Sequence, residues 1–141
     1  MKKIMLLTLL WSYCVIAVAQ HTIEVTVNDI ESDKGDIIVM LFDQGDGFPM
    51  EMSKALQSVD RKAEKGSMSL KFEGLAPGEY AVSVIHDENE DGQVERNFIG
   101  MPKERVGASF QTKFGKPSFG RSKFTVTADQ PNAKIGMYFL N

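Results

Sequence analysis

At 141 residues, 43% hydrophobic and 25% charged, the chain has enough apolar bulk for one domain with a core and is neither disordered nor fibrous. A formal charge of -3 argues against nucleic acid as a partner, because phosphate recognition needs clustered Lys and Arg. A single cysteine excludes a disulfide-stapled miniprotein, and 12 glycines favour a turn-rich, all-β chain.

Lys2 and Lys3 precede an apolar run from Ile4 to Val18, and Ala17-Val18-Ala19 supplies small residues where a signal peptidase reads. The pattern predicts a secretory signal over residues 1–19, cleaved before Gln20. The run is shorter than the roughly 20 apolar residues of a membrane-spanning helix, so no membrane span is expected after cleavage. Cys14 lies inside this segment behind Tyr13, where a lipoprotein would need a small residue. Without Lys2 and Lys3 the 16 basic residues become 14 against 19 acidic, a net charge of -5. The expected product is an acidic, cysteine-free protein, exported to the periplasm or the exterior.

Residues 20–141 read as a single domain in which alternation dominates. Ile23, Val25 and Val27 are spaced two apart, as are Met68, Leu70 and Phe72, then Tyr80, Val82 and Val84. Phe124 with Val126, and Ile135, Met137 and Phe139, repeat the pattern. Period two with β-branched and aromatic residues predicts half-buried strands. On that reading Ser83 faces the solvated side of its sheet. The continuous run Ile37 to Phe42, bounded by Gly35 and Gly45, predicts a strand buried on both faces, and a weaker strand is expected between Ala55 and Ala63. Asp33-Lys34-Gly35, Lys65-Gly66 and Ala76-Pro77-Gly78 mark turns. Phe48 to Lys54 suits one helical turn with Pro49 at its first position. About seven strands in one domain predict an antiparallel β-sandwich with Greek-key connections, with a closed barrel as the alternative.

From Glu88 to Arg121 no strand or helix pattern is visible. Ordered loops longer than about 15 residues tend to be functional, so chemistry is expected here. The tract is entered through His86-Asp87-Glu88-Asn89-Glu90-Asp91-Gly92-Gln93-Val94-Glu95. Asp87, Asn89 and Asp91 alternate ahead of Gly92, as in the opening of a D-x-[DN]-x-[DN]-G calcium loop. Alternating oxygen side chains on a curved loop converge on a hard cation, and the glycine permits the turn that presents the next carbonyl, from Gln93. Glu95 stands at the ninth position, where a ligand binds directly or through water. The twelfth position, which carries a bidentate Glu in an EF-hand, is Phe98, so this is not an EF-hand. Glu104 is the candidate that would close the shell. Weak calcium affinity suits an exported protein. The competing reading is a plain acidic turn.

The series Phe72-Glu73-Gly74-Leu75-Ala76-Pro77-Gly78-Glu79-Tyr80, His86-Asp87-Glu88-Asn89, Asn97, Gly100-Met101-Pro102, Glu104, Gly107, Ser109 and Phe114-Gly115-Lys116-Pro117-Ser118-Phe119 resembles the bacterial family called domain of unknown function 2141. The resemblance implies a small exported β-sandwich and carries no established activity. The Gly-Leu-x-Pro-Gly-x-Tyr element is also similar to prealbumin-like sandwich modules, and the expected sandwich is of the prealbumin or immunoglobulin-like kind. There it implies a structural turn feeding a core strand.

Four further groups are weighed against plainer roles. His86 with Asp87 and Glu104 could hold a metal that activates water, giving a hydrolase. A histidine at a strand end is more often hydrogen-bonded structure. Ser109 lies in Val106-Gly107-Ala108-Ser109-Phe110, which lacks a nucleophile elbow, so its expected role is to satisfy loop backbone groups. Phe98, Phe110, Phe114 and Phe119 form either an exposed binding surface or, as expected, a satellite core beneath the loop. Lys113, Lys116, Arg121 and Lys123 could pair with the acidic loop. The leading expectation is a non-enzymatic, exported binding or accessory module with a calcium-organised loop and an unidentified ligand or protein partner. His86, Asn97 and Ser109 are its candidate binding residues. A hydrolase and an ion-free structural module are the alternatives.

Overall fold

A computed structural model describes residues 21–92, 97–99, 103–110, 116–130 and 132–140. The expected signal segment lies outside these residues, as do Gln93, Glu95, Lys113 and Phe114. Among the described residues, eight strands form two sheets. The first sheet holds β1 (His21–Ile30), β4 (Gly66–Leu75) and β8 (Asn132–Met137) in the order β4-β1-β8. The second holds β2 (Asp36–Phe42), β3 (Gln57–Lys62), β5 (Gly78–Asp87) and β6 (Arg105–Ala108) in the order β3-β2-β5-β6. A short strand, β7 (Phe124–Val126), continues the β6 edge by pairing with the start of β5. These are the sheets of a β-sandwich, with one departure from the antiparallel expectation: β1 and β8 run parallel.

The alternation read in the sequence places the core. Ile23, Val25 and Val27 are completely buried, and register sets Val25 between Leu70 on β4 and Ile135 on β8. Val39 on β2 and Val84 on β5 are directly paired and join the same cluster, along with Phe72, Tyr80, Val82 and Phe139. Each such side chain stabilises the fold by about 1.5–3 kcal/mol through burial. The Ala76-Pro77-Gly78 turn joins β4 to β5, and Tyr80 Oη donates to the Ala76 carbonyl at 2.7 Å. This pins the turn to the core strand, the role the sequence motif implies. Burial raises the Tyr80 pKa above the usual tyrosine value, and the charge of Asp43 adds to the shift.

The second sheet departs from a half-solvated pattern. Its outer face carries a second apolar cluster of Ile38, Met40, Phe42, Ile85 and Val106. Phe48, Met50, Ala55 and Phe119 cover it. Phe48 packs edge-on against Phe42 at 5.3 Å and against Phe119 at 6.1 Å between ring centroids. Ser83, expected to face water, is fully buried beneath this cover and donates its hydroxyl to the Pro49 carbonyl at 2.6 Å. The covering segment does not form a helix starting at Pro49. Phe48-Pro49 is a cis peptide, and only Met52–Lys54 make a 3-10 turn.

The tract after Glu88 also contains structure that the sequence pattern hid. β6 pairs with β5 from Ser83↔Ala108 to His86↔Arg105, and α1 (Phe119–Ser122) makes one helical turn. Gly107 explains why β6 lacks an apolar signature. A Cβ there would meet the Tyr138 carbonyl and lie 2.9 Å from Val84 Cγ1, so the strand packs through bare backbone. Among the described residues no helix is long and apolar enough to cross a membrane.

Candidate functional site

Alternation along β5 separates two neighbours that the sequence grouped together. Successive strand residues point to opposite faces. His86 follows Tyr80, Val82 and Val84 toward the inner face, whereas Asp87 follows Ser83 and Ile85 toward the covered outer face. His86 is 1% exposed, its Nε2 meets the Lys34 carbonyl at 2.8 Å, and its ring lies 6.0 Å from Phe139. It is a packed, hydrogen-bonded strand-end histidine. With Asp87 on the other face, the two do not form one hydrolytic constellation.

Asp87 closes β5 and opens the acidic loop. It is 2% exposed, and its Oδ2 accepts the Gly92 N–H at 2.8 Å. Its Oδ1 is buried with no hydrogen-bond partner. The loop curls through left-handed conformations at Glu90 (φ 59°) and Gly92 (φ 67°), and the second of these is the turn expected of the glycine. Asn89 Nδ2 donates to Asp91 Oδ2 at 2.8 Å, an exposed bond between the two side chains. The base of the loop is braced by Gly35 (φ 70°), where any Cβ would run into the backbone of Asp87 and Glu88.

Glu104 immediately precedes β6, next to the His86↔Arg105 pair that ends its register with β5. Its Oε2 is likewise buried without a partner. Glu104 also lines a cavity of about 230 Å³ with His86, Glu88 and Asn89. Buried carboxylate oxygens without donors are costly, and here two occur at the same end of adjacent strands. Among the described residues no three His, Cys, Asp or Glu side chains gather as a ready metal cluster. Asp87, Asp91 and Glu104 are thus not brought together as one ready metal site. Gln93 and Glu95, named for the same shell, lie outside the described residues.

The remaining candidates fall elsewhere. Ser109 is fully buried: its Oγ donates to the Ser122 carbonyl at 2.6 Å and accepts the Val82 N–H at 3.0 Å. It ties α1 to β5 as a structural residue. Asn97 accepts the Ile99 N–H on its own Oδ1 at 3.1 Å. Phe98 is 100% exposed, Phe110 is largely exposed while resting on Phe124, and among the described loop aromatics only Phe119 joins a core cluster. The satellite core thus comes from Phe48 and Phe119 rather than from all the loop aromatics. Among the described residues the acidic loop pairs with Lys62. Lys62 Nζ reaches Glu90 at 2.8 Å and Asp36 at 2.9 Å, and these contacts raise its pKa. Lys123 instead pairs with Glu79 at 2.8 Å.

One cavity was invisible in the sequence because its walls come from distant segments. About 500 Å³ in volume, it opens over the outer face of the second sheet, with Ile38, Ile85, Phe48 and Met50 forming its apolar wall. Asp87, Gly92, Glu51 and Lys116 complete it.

Two facing sheets with a loop gathered at one strand end define a β-sandwich of the kind that presents sites on connecting segments. The chain belongs to the family described as an uncharacterized protein conserved in bacteria, domain of unknown function 2141, whose model matches residues 25–134. No curated protein and no solved structure matches it.

Proposed function

We propose that this is an exported, non-enzymatic binding module whose loop from Asp87 is organised by calcium. The observation that carries the reading is the Asp87 carboxylate: buried, held on one oxygen by Gly92 N–H, and without a donor on the other. It stands at the head of Asp87-x-Asn89-x-Asp91-Gly92, where a hard cation would meet further oxygens from Asn89, Asp91 and the Gln93 carbonyl. Glu95 and Glu104 are the acidic groups that would complete the shell. Cleavage before Gln20 would deliver this module to the periplasm or beyond, where millimolar calcium can fill a weak site.

Calorimetric titration of the purified domain with calcium tests the reading. Binding near the 10⁻⁴–10⁻³ M range of extracellular modules is expected, with magnesium weaker because it dehydrates reluctantly. Asp91→Ala should abolish binding and Glu104→Ala should weaken it. No heat of binding in the wild type would leave the loop as an acidic turn and the protein as a structural module.

A further inference from the structure

The wall of the 500 Å³ cavity over the second sheet includes a carboxylate with one oxygen to spare. Asp87 is a wall residue and is 2% exposed. The Gly92 N–H donates to its Oδ2, and Gly92 continues the same wall. Asp87 Oδ1 is left as a buried acceptor with no donor among the described residues. Such an acceptor carries an uncompensated desolvation cost, which a bound donor would remove.

The rest of the cavity selects the kind of donor. Its volume lies within the range of small-molecule sites, well beyond the needs of one bare ion. Ile38 and Ile85 belong to the second apolar cluster, Phe48 and Met50 pack on it, and the four form an apolar wall. Asp87 and Glu51 outnumber Lys116, which is exposed and is the one cation of the described wall. A ligand with an apolar body and one positively charged N–H donor matches both parts. A carboxylate ligand would bring no donor to Oδ1 and would meet the excess of negative charge.

We propose that the cavity binds small hydrophobic primary amines in their ammonium form. The ammonium donates to Asp87 Oδ1, a charge-assisted bond of the stronger kind, and the apolar body lies on Ile38, Ile85, Phe48 and Met50. The inference goes beyond the calcium reading and needs no metal, since Asp87 and the apolar wall are sufficient for it.

The test is calorimetry of the purified protein with phenylbutylamine as the probe, against phenylbutyrate and butylamine. All titrations are run in EGTA, because the calcium reading draws on the same carboxylate. Phenylbutylamine should bind at least about tenfold more tightly than either comparison compound, a difference of roughly 1.4 kcal/mol. Phenylbutyrate reports the sign of the charge, and butylamine reports the apolar wall. Asp87→Asn keeps an oxygen for the Gly92 N–H and should weaken phenylbutylamine at least about tenfold, with the circular dichroism of the wild type retained. Lys116→Glu, an exposed change, should tighten it. No phenylbutylamine binding, binding that Asp87→Asn leaves unchanged, phenylbutyrate binding as tight as the amine, or weaker amine binding in Lys116→Glu would each overturn the inference. None of these results bears on the calcium reading, which fails only if the wild type gives no heat with calcium.

Discussion

Asp87→Asn separates a calcium ligand from a mere turn residue, because its effect should change sign with the metal. In EGTA the wild type holds a buried carboxylate oxygen with no donor, a burden of about 1–3 kcal/mol. An Asn keeps an oxygen for the Gly92 N–H and removes the buried charge. A gain of about 1 kcal/mol follows, worth roughly 3–5 °C in melting temperature for a domain of this size. Calcium at a hundredfold excess over Kd stabilises the wild type by about 2.7 kcal/mol, near 10 °C, and the variant by almost nothing. The melting curves should therefore cross: Asp87→Asn above wild type in EGTA and below it in calcium. Differential scanning calorimetry of both proteins in both buffers reads this directly. A variant less stable than wild type in EGTA, together with a wild type indifferent to calcium, would refute the reasoning.

Four further outcomes follow from the fold. Val82→Asp and Ser83→Asp should both unfold the domain by circular dichroism, since both faces of β5 are buried and an unpaired buried charge costs several kcal/mol; a folded Ser83→Asp protein would show the outer face to be open. Gly35→Ala should cost more than about 2 kcal/mol in urea unfolding, from its left-handed φ and the collision with Asp87, while Gly74→Ala at φ 72° in open space should cost about 1 kcal/mol; equal values would place the loop base wrongly. Burial holds the Tyr80 proton on in the folded state while the unfolded chain releases it near pH 10, so stability should fall as pH rises past that value. Tyr80→Phe should flatten that alkaline decline in melting temperature, and an unchanged slope would assign it to other groups. On the proposed export, intact mass of the protein recovered outside the cytoplasm should lack residues 1–19; full-length chain in the membrane fraction would contradict cleavage.

The strands that carry regular alternation were legible because one side of each packs on the inner core, as Ile23, Val25 and Val27 do. Ile37 to Phe42 was legible as doubly buried because its polar positions vanish. β6 was not, since Gly107 contributes backbone rather than a side chain and Val106 is the strand's one large apolar residue. Ser83 misled for the opposite reason: a polar residue in an alternating strand implies water. The cover that excludes water there is built from Phe48, Met50, Ala55 and Phe119, which local pattern does not associate. The Asp87-Asn89-Asp91-Gly92 spacing did locate the loop and its left-handed glycine. It did not reveal that Asp87 and His86 diverge, which follows from pleating once β5 is known to extend through Asp87.

The parallel pairing of β1 with β8 has a consequence for when the molecule can finish folding. β1 is the middle strand of its sheet, and one of its two hydrogen-bonded edges is supplied by Asn132–Met137. Whether the chain emerges from a ribosome or a translocation channel, β1 appears early and waits with that edge open while nearly the whole domain follows. Closure by so distant a segment is entropically slow and resists premature completion. Pairing of β8 with β1 then closes the first sheet and completes the core around Val25.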